Sequence, residues 1–359
     1  MIAATTTRPG MRGGVFASCV VAALFAQDPV PRRGDPSSVR PAARSAEAIV
    51  ADLDATPLPG FFTGDDAEVV RRALLRRAEL ARELFEAEPN HPRVPDAYEL
   101  RLGVLLNTEG DVAGVVRETE ALMETSSMPA DVRELARVWR TCAAMKDPTE
   151  TPASRLAHID RMLVEFEHGA RARLYAENLL VDFAWRETID VAEQKRACAR
   201  AIELGRDHGD LTAERELVRV LGLIGKPLEL GEFTNVADGA RVDFADIRTR
   251  RIVLFLMAAY PPFERPEDDD FATLRALRDR VGPDAVSVVG LIDMPPTRDF
   301  SKVPWPVRRE PIDDPMRIEE TLVWELGFRR NGVYVVLDAD HVVLAVTTAL
   351  ERLEPVFAP

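Results

Sequence analysis

The chain has 359 residues, 46% of them apolar and 30% charged, so it can bury sizeable cores and is neither disordered nor collagen-like. At about 150 residues per domain, that length predicts two domains or three. Acidic residues number 60 against 46 basic, a net charge of −14 with no concentrated basic patch. This argues against nucleic acid and anionic lipid surfaces as partners.

In chain order, residues 1–26 predict a secretory signal peptide. Arg8 and Arg12 precede an apolar run from Val15 to Ala26, which ends in a small residue. The run is too short for a bilayer span, which needs roughly 20 residues. Phe16-Ala17-Ser18-Cys19 is not a lipoprotein site, because the apolar run follows Cys19 instead of preceding it. The expected location is the periplasm, with no stable membrane insertion after signal cleavage; an uncleaved anchor is the alternative. That compartment is oxidising. Beyond Cys19 only Cys142 and Cys198 remain, both in helical patterns. They read as two buried thiols or as one disulfide between helices, and their separation fits no zinc or redox spacing.

Residues 27–45 hold Pro29, Pro31, Pro36 and Pro41 and predict an extended linker. Residues 46–224 predict an all-α domain. Val70, Leu74, Ala78, Ala81 and Phe85 recur at helical spacing, as do Ala97, Leu100 and Val104, and then Ala172, Tyr175, Leu179 and Phe183. Val94-Pro95-Asp96-Ala97, Met128-Pro129-Ala130-Asp131 and Gly169-Ala170-Arg171 each open a helix, at intervals of about 34–40 residues. That period suggests tetratricopeptide-like stacking of helix pairs, although the repeat's Trp, Gly and Tyr positions are not cleanly present; an irregular bundle is the alternative.

The pattern changes at Gly225-Lys226-Pro227, which opens a second domain over residues 225–359. Ile252 to Met257 and Ala285 to Ile292 are continuous apolar runs, as expected for strands buried on both faces. Phe271, Leu274, Leu277 and Val281 between them predict a helix, making a parallel strand–helix–strand crossover. Val333 to Leu337 and Val342 to Val346 flank Asp338-Ala339-Asp340-His341 and predict a hairpin, followed by a short helix through Leu350, Leu353 and Phe357. The expected fold class is therefore an all-α array followed by an α/β domain with a mixed central sheet.

Several segments carry a resemblance. Gly225-Lys226-Pro227-Leu228-Glu229-Leu230, Val242-Asp243-Phe244-Ala245-Asp246-Ile247-Arg248, Pro304-Trp305-Pro306, Leu326-Gly327-Phe328-Arg329 and Val335 to Asp340 occur in the order found in the envelope thioredoxin-like thiol–disulfide reductases of the TlpA type and the related alkyl-hydroperoxide-reductase-like redoxins. The second domain resembles that family over its whole length, which implies a thioredoxin-like fold. The family's Cys-x-x-Cys follows its first core strand. Aligned on Ala258-Ala259-Tyr260, Pro261 takes the place of the attacking cysteine and Glu264 that of the resolving one; Gly332 takes that of the family's substrate-contacting cis-proline. Thiol exchange needs a thiolate and a second thiol, and no cysteine occurs after Cys198.

The expectation is therefore a degenerate site with no catalytic residue, cofactor or metal. Tyr260, Pro261, Pro262, Phe263 and Glu264 would form a binding lip beside Gly332 for a protein or peptide partner in the cell envelope, or simply a packed loop. Glu264 and Glu267-Asp268-Asp269-Asp270 read as carboxylates capping a helix N-terminus, the alternative being a divalent-cation site without the alternating spacing of a calcium loop. The alternative function is a thiol–disulfide oxidoreductase or peroxidase-like redoxin using Cys142 or Cys198 as a displaced thiol. A third reading is a purely structural part of an envelope assembly. His91, His158, His168, His208 and His341 are scattered, and no phosphate loop or nucleophile elbow occurs.

Overall fold

The computed structural model of the protein describes residues 44–56, 67–124, 128–206, 211–257, 267–292, 303–309 and 332–357. The expected signal peptide and nearly all of the linker lie outside them. Among the described residues helices come first: α1 (Ala46–Ala55), α2 (Ala67–Ala87), α3 (Val94–Asn107), α4 (Val112–Glu124), α5 (Ala130–Lys146), α6 (Pro152–Glu165), α7 (Ala170–Arg186), α8 (Val191–Gly205) and α9 (Thr212–Leu221). Then follow β1 (Glu232–Thr234), β2 (Arg241–Asp243), β3 (Arg251–Met257), α10 (Glu267–Val281), β4 (Val286–Ile292), β5 (Val307–Arg309), β6 (Val333–Asp338), β7 (Val343–Thr347) and α11 (Glu354–Phe357). Helices followed by a mixed α/β sheet are the fold class that the sequence predicts. By compactness the described residues fall into two units, one within 44–151 and 160–172, the other within 152–159 and 173–357.

In the first unit α2 packs on α3, and α4 on α5. Ser45 caps α1, its hydroxyl accepting from the Ala48 N–H at 3.3 Å. At the other end of α1, Arg77 Nη1 donates to the Leu53 and Thr56 carbonyls at 2.9 and 2.5 Å, a cation on the helix's negative pole. Val70, Leu74, Ala78 and Ala81 of α2 are buried as their spacing predicts, together with Leu80 and Leu84. On α3, Val104 is buried as its spacing predicts and Leu100 packs half-buried against the same cluster, but Ala97 is only half-buried, while Tyr98 and Leu102 are buried outside the predicted stripe. The cause is the Tyr98 ring, 5.0 Å from Phe85, and a polar anchor beneath it. Arg101, with 9% of its side chain exposed, donates from Nε to Glu118 Oε2 at 2.9 Å and from Nη2 to Glu118 Oε1; its Nη1 reaches the Ala78 carbonyl at 3.2 Å. The Tyr98 hydroxyl donates to Glu118 Oε2 at 3.0 Å. One carboxylate on α4 thus holds two residues of α3, and Arg101 carries the connection to α2.

In the second unit a five-stranded sheet runs in the order β5-β4-β3-β6-β7. β3 pairs parallel with β4, from Arg251↔Val286 to Met257↔Ile292, and antiparallel with β6, from Arg251↔Asp338 to Leu256↔Val333. A strand with neighbours on both sides and cover on both faces must be apolar throughout; Ile252 to Leu256 are at most 1% exposed. The crossover α10 covers one face, placing Phe271, Leu274 and Leu277 against Val253, Phe255, Val288 and Tyr334. The Phe255 ring lies 5.1 Å from Tyr334 and 5.9 Å from Phe271. The β6–β7 hairpin turns as predicted, with the Asp338 carboxylate accepting from the Asp340 and Val342 N–H groups at 2.9 Å.

Candidate functional site

The site that the resemblance points to begins where β3 ends, at Met257, and continues to the start of α10. Tyr260, Pro261, Pro262, Phe263 and Glu264 lie outside the described residues, as do the side chains of 267–270. Gly332 is described and gives the site its geometry. It precedes β6 with φ +73°, a left-handed backbone open to glycine. Its N–H donates to the Leu256 carbonyl at 3.2 Å, which adds a rung beyond the last register pair of β3 and β6. Proline has no N–H and holds φ near −65°. Proline is therefore incompatible with this position in two independent ways.

Trp305 of the Pro304-Trp305-Pro306 segment is 5% exposed, its ring 5.7 Å from Phe271 in the first full turn of α10. Its indole N–H is buried with no hydrogen-bond partner. The lead-in segment lies along β7: the Gly225 N–H donates to the Val343 carbonyl at 2.8 Å, and the Val343 N–H donates to the Lys226 carbonyl at 3.0 Å. Next to it, His341 is the non-glycine residue with positive φ among those described. Its ring is 4.4 Å from Phe244, with Nε2 3.0 Å from the Ile247 carbonyl. Asp243 caps the turn at Phe244–Asp246 through the Ala245 N–H at 3.0 Å. The parallel crossover, the hairpin paired antiparallel to its first strand and the closing helix decide the architecture. The second domain has a thioredoxin-like fold.

Both described cysteines are buried thiols: Cys142 on α5 is 8% exposed and Cys198 on α8 is 1% exposed. The disulfide alternative does not hold for them. The Cys198 sulfur lies 3.6 Å from the Glu214 carbonyl, and burial, helped by the charge of Glu214, pushes its pKa up to about 11. Ionising this thiol at neutral pH is disfavoured, the opposite of what a nucleophilic cysteine needs. Among the described residues no cluster of three His, Cys, Asp or Glu could hold a metal, and no helix is long and apolar enough to cross a membrane.

One set of polar residues was not singled out in the sequence: Arg155, Glu187, Gln194 and Thr347, which join α6, α7 and α8 to the end of β7. Their signal was Gln194 interrupting the apolar stripe of α8 that continues through Ala197, Cys198 and Ala201.

No family model and no curated protein matches the chain. Among solved structures, it is similar to a conserved protein of unknown function from Bacteroides fragilis, at 17% identity over 36% of this chain and 97% of that one, with a TM-score of 0.27. It is also similar to a domain of a possible thiol-disulfide isomerase from Cytophaga hutchinsonii, at 16% identity over 36% and 92%, with a TM-score of 0.26. A thioredoxin-like protein from Bacteroides caccae aligns over 91% of this chain and 98% of its own, at 11% identity and a TM-score of 0.29. TM-scores this low carry no argument, and the fold rests on the strand order and connections.

Proposed function

We propose that the protein is a non-catalytic, TlpA-like member of the envelope redoxins that binds a protein or peptide partner through its degenerate thioredoxin-like site. The observation that carries this reading is the loss of every thiol from the site: no cysteine follows Cys198 in the sequence. Cys198 itself is buried and disfavoured as a thiolate, which weighs against the displaced-thiol alternative. Gly332 adds support, because a position held at φ +73° with its N–H bonded cannot carry the family's proline. The fold would persist for recognition, with Tyr260 and Phe263 contributing an apolar lip and the helical array, read as tetratricopeptide-like, acting as scaffold. Export on the signal of residues 1–26 would place this activity in the periplasm.

The test is dithiothreitol-driven insulin reduction by residues 27–359 beside the Cys142→Ser/Cys198→Ser variant. The expected rate is background in both. A rate present in the native protein and lost in the variant overturns the reading in favour of displaced thiols. Binding is then read with a labelled, carboxymethylated insulin B chain as an extended client. It is expected to bind the native protein and to lose affinity in Tyr260→Ala/Phe263→Ala; affinity unchanged by that pair rules out the lip.

A further inference from the structure

β7 is the outer strand of the sheet, and an unpaired outer strand is a template for pairing with another chain. Here outward groups are occupied at both of its ends. At its start the His341 carbonyl accepts from the Leu228 N–H at 2.9 Å, and Val343 exchanges both its groups with Gly225 and Lys226. At its end the partners come from the corner between α7 and α8. The Trp185 carbonyl, left over at the C-terminal end of α7, accepts from the Thr348 N–H at 3.0 Å and from the Thr347 hydroxyl at 2.8 Å. Gln194, 1% exposed, directs Nε2 at three carbonyls: Ala184 of α7 at 2.9 Å, Thr188 of the corner at 3.0 Å and Val346 of β7 at 3.2 Å. An amide oxygen turned that way would face three acceptors, so the network fixes its orientation. Glu187 accepts from Arg352 at 2.9 Å and pairs with Arg155 of α6, the side chains of Arg155 and Glu187 being 7% and 12% exposed.

We propose that the α7–α8 corner is a latch that closes the outer edge of β7 and makes these helices one cooperative unit with the sheet, with Gln194 as its pin. The Trp185 carbonyl at the end of α7 takes its donors from Thr347 and Thr348, and the Val346 carbonyl of the strand takes its donor from Gln194 of α8, which also serves the Ala184 and Thr188 carbonyls. Neither side can open without burying unpaired polar groups on the other. The other side-chain atom of the pin, Gln194 Oε1, is buried without a hydrogen-bond partner, so the latch is held less tightly than a fully satisfied core would be. A partner that adds a strand to β7 must displace it first.

The test is hydrogen exchange, read by mass spectrometry on the full-length protein. Peptides over 180–205 and 343–350 are expected to share one level of protection. In Gln194→Leu both should exchange faster by a common factor of about tenfold or more, as losing a buried hydrogen-bonded group implies. Peptides over 70–122 should not change. Acceleration confined to α8, protection at 343–350 unmoved by the substitution, or equal acceleration over 70–122 would each overturn the proposal. If Gln194→Leu does not fold, Thr347→Val decides. It removes the hydroxyl that donates to Trp185 and accepts from the Ala349 N–H at 3.0 Å, and is expected to accelerate the same two regions by a smaller common factor; no common change refutes the latch.

Discussion

Replacing Gly332 tests whether the backbone at this position excludes proline. Its φ of +73° puts any L side chain in the left-handed region, and its N–H is spent on the Leu256 carbonyl. Gly332→Ala keeps the bond and adds a conformational penalty of about 1–2 kcal/mol. Gly332→Pro also removes a hydrogen bond worth about 1 kcal/mol and forces φ near −65°, so the local chain must move. The expected loss is about 3 kcal/mol, with the alanine variant between it and the native protein. Urea denaturation followed by far-UV circular dichroism, with unchanged m values, measures both. If the proline variant were as stable as the alanine variant, the position would accept a family-like proline. The argument that the backbone forbids it would then fail.

Cys198 should resist iodoacetamide at pH 7.5 in the folded protein and react fully in 6 M guanidinium, as mass spectrometry would show; rapid native alkylation would contradict its burial. Its folded pKa, about 11, lies above its ordinary value of 9.0. The unfolded thiol therefore ionises first as pH rises. The stability linked to it is fully present below pH 9 and lost between about 9 and 11, and Cys198→Ala should remove this part of the alkaline destabilisation. In the first unit, Glu118→Ala leaves the Arg101 guanidinium, 9% exposed, with the Ala78 carbonyl and the neutral Tyr98 hydroxyl and no carboxylate. A cost of about 2–3 kcal/mol is expected, below the full range for a buried pair because Glu118 is partly exposed. Arg101→Met/Glu118→Leu should recover part of it in the same urea experiment, and no recovery would refute the account. Asp190, whose carboxylate accepts from the Glu193 N–H at 2.9 Å, caps α8; Asp190→Ala should cost about 1 kcal/mol by thermal melting.

The strands were legible because burial on both faces leaves an unbroken apolar run, as in Ile252 to Met257 and Val286 to Ile292. The hairpin was legible because Asp338 to His341 can only turn. The helix α2 announced itself by spacing, but α3 showed only part of its buried face, through Val104. Tyr98 and Arg101 are polar by type and buried only because Glu118, on the next helix, satisfies both, and periodicity of apolar residues cannot see such a long-range match. Gln194 is the same case at greater distance, since its partner Val346 lies 152 residues away. At the site that the resemblance points to, the absence of any cysteine after Cys198 was visible by type. The reason that Gly332 excludes proline was not, because a dihedral and a backbone bond leave no mark in composition.

These particulars bear on where recognition can occur. A sheet domain captures an extended partner either along an open edge strand or at the loop ends of its strands. On the β5 side the Asn235 carboxamide oxygen accepts from the Val307 N–H at 2.9 Å, and the Val236 N–H donates to the Val307 carbonyl at 2.9 Å. On the β7 side the lead-in segment and the α7–α8 corner occupy outward groups at both ends of the strand. Strand addition would therefore have to break existing bonds at either edge. A partner meeting the domain at the end of β3, where the Gly332 N–H donates to the Leu256 carbonyl, breaks none of these. For that reason the client's affinity should respond to Tyr260→Ala/Phe263→Ala and not to Asn235→Ala, which disturbs the β5 edge. The opposite pattern would move recognition to the edge and overturn this argument.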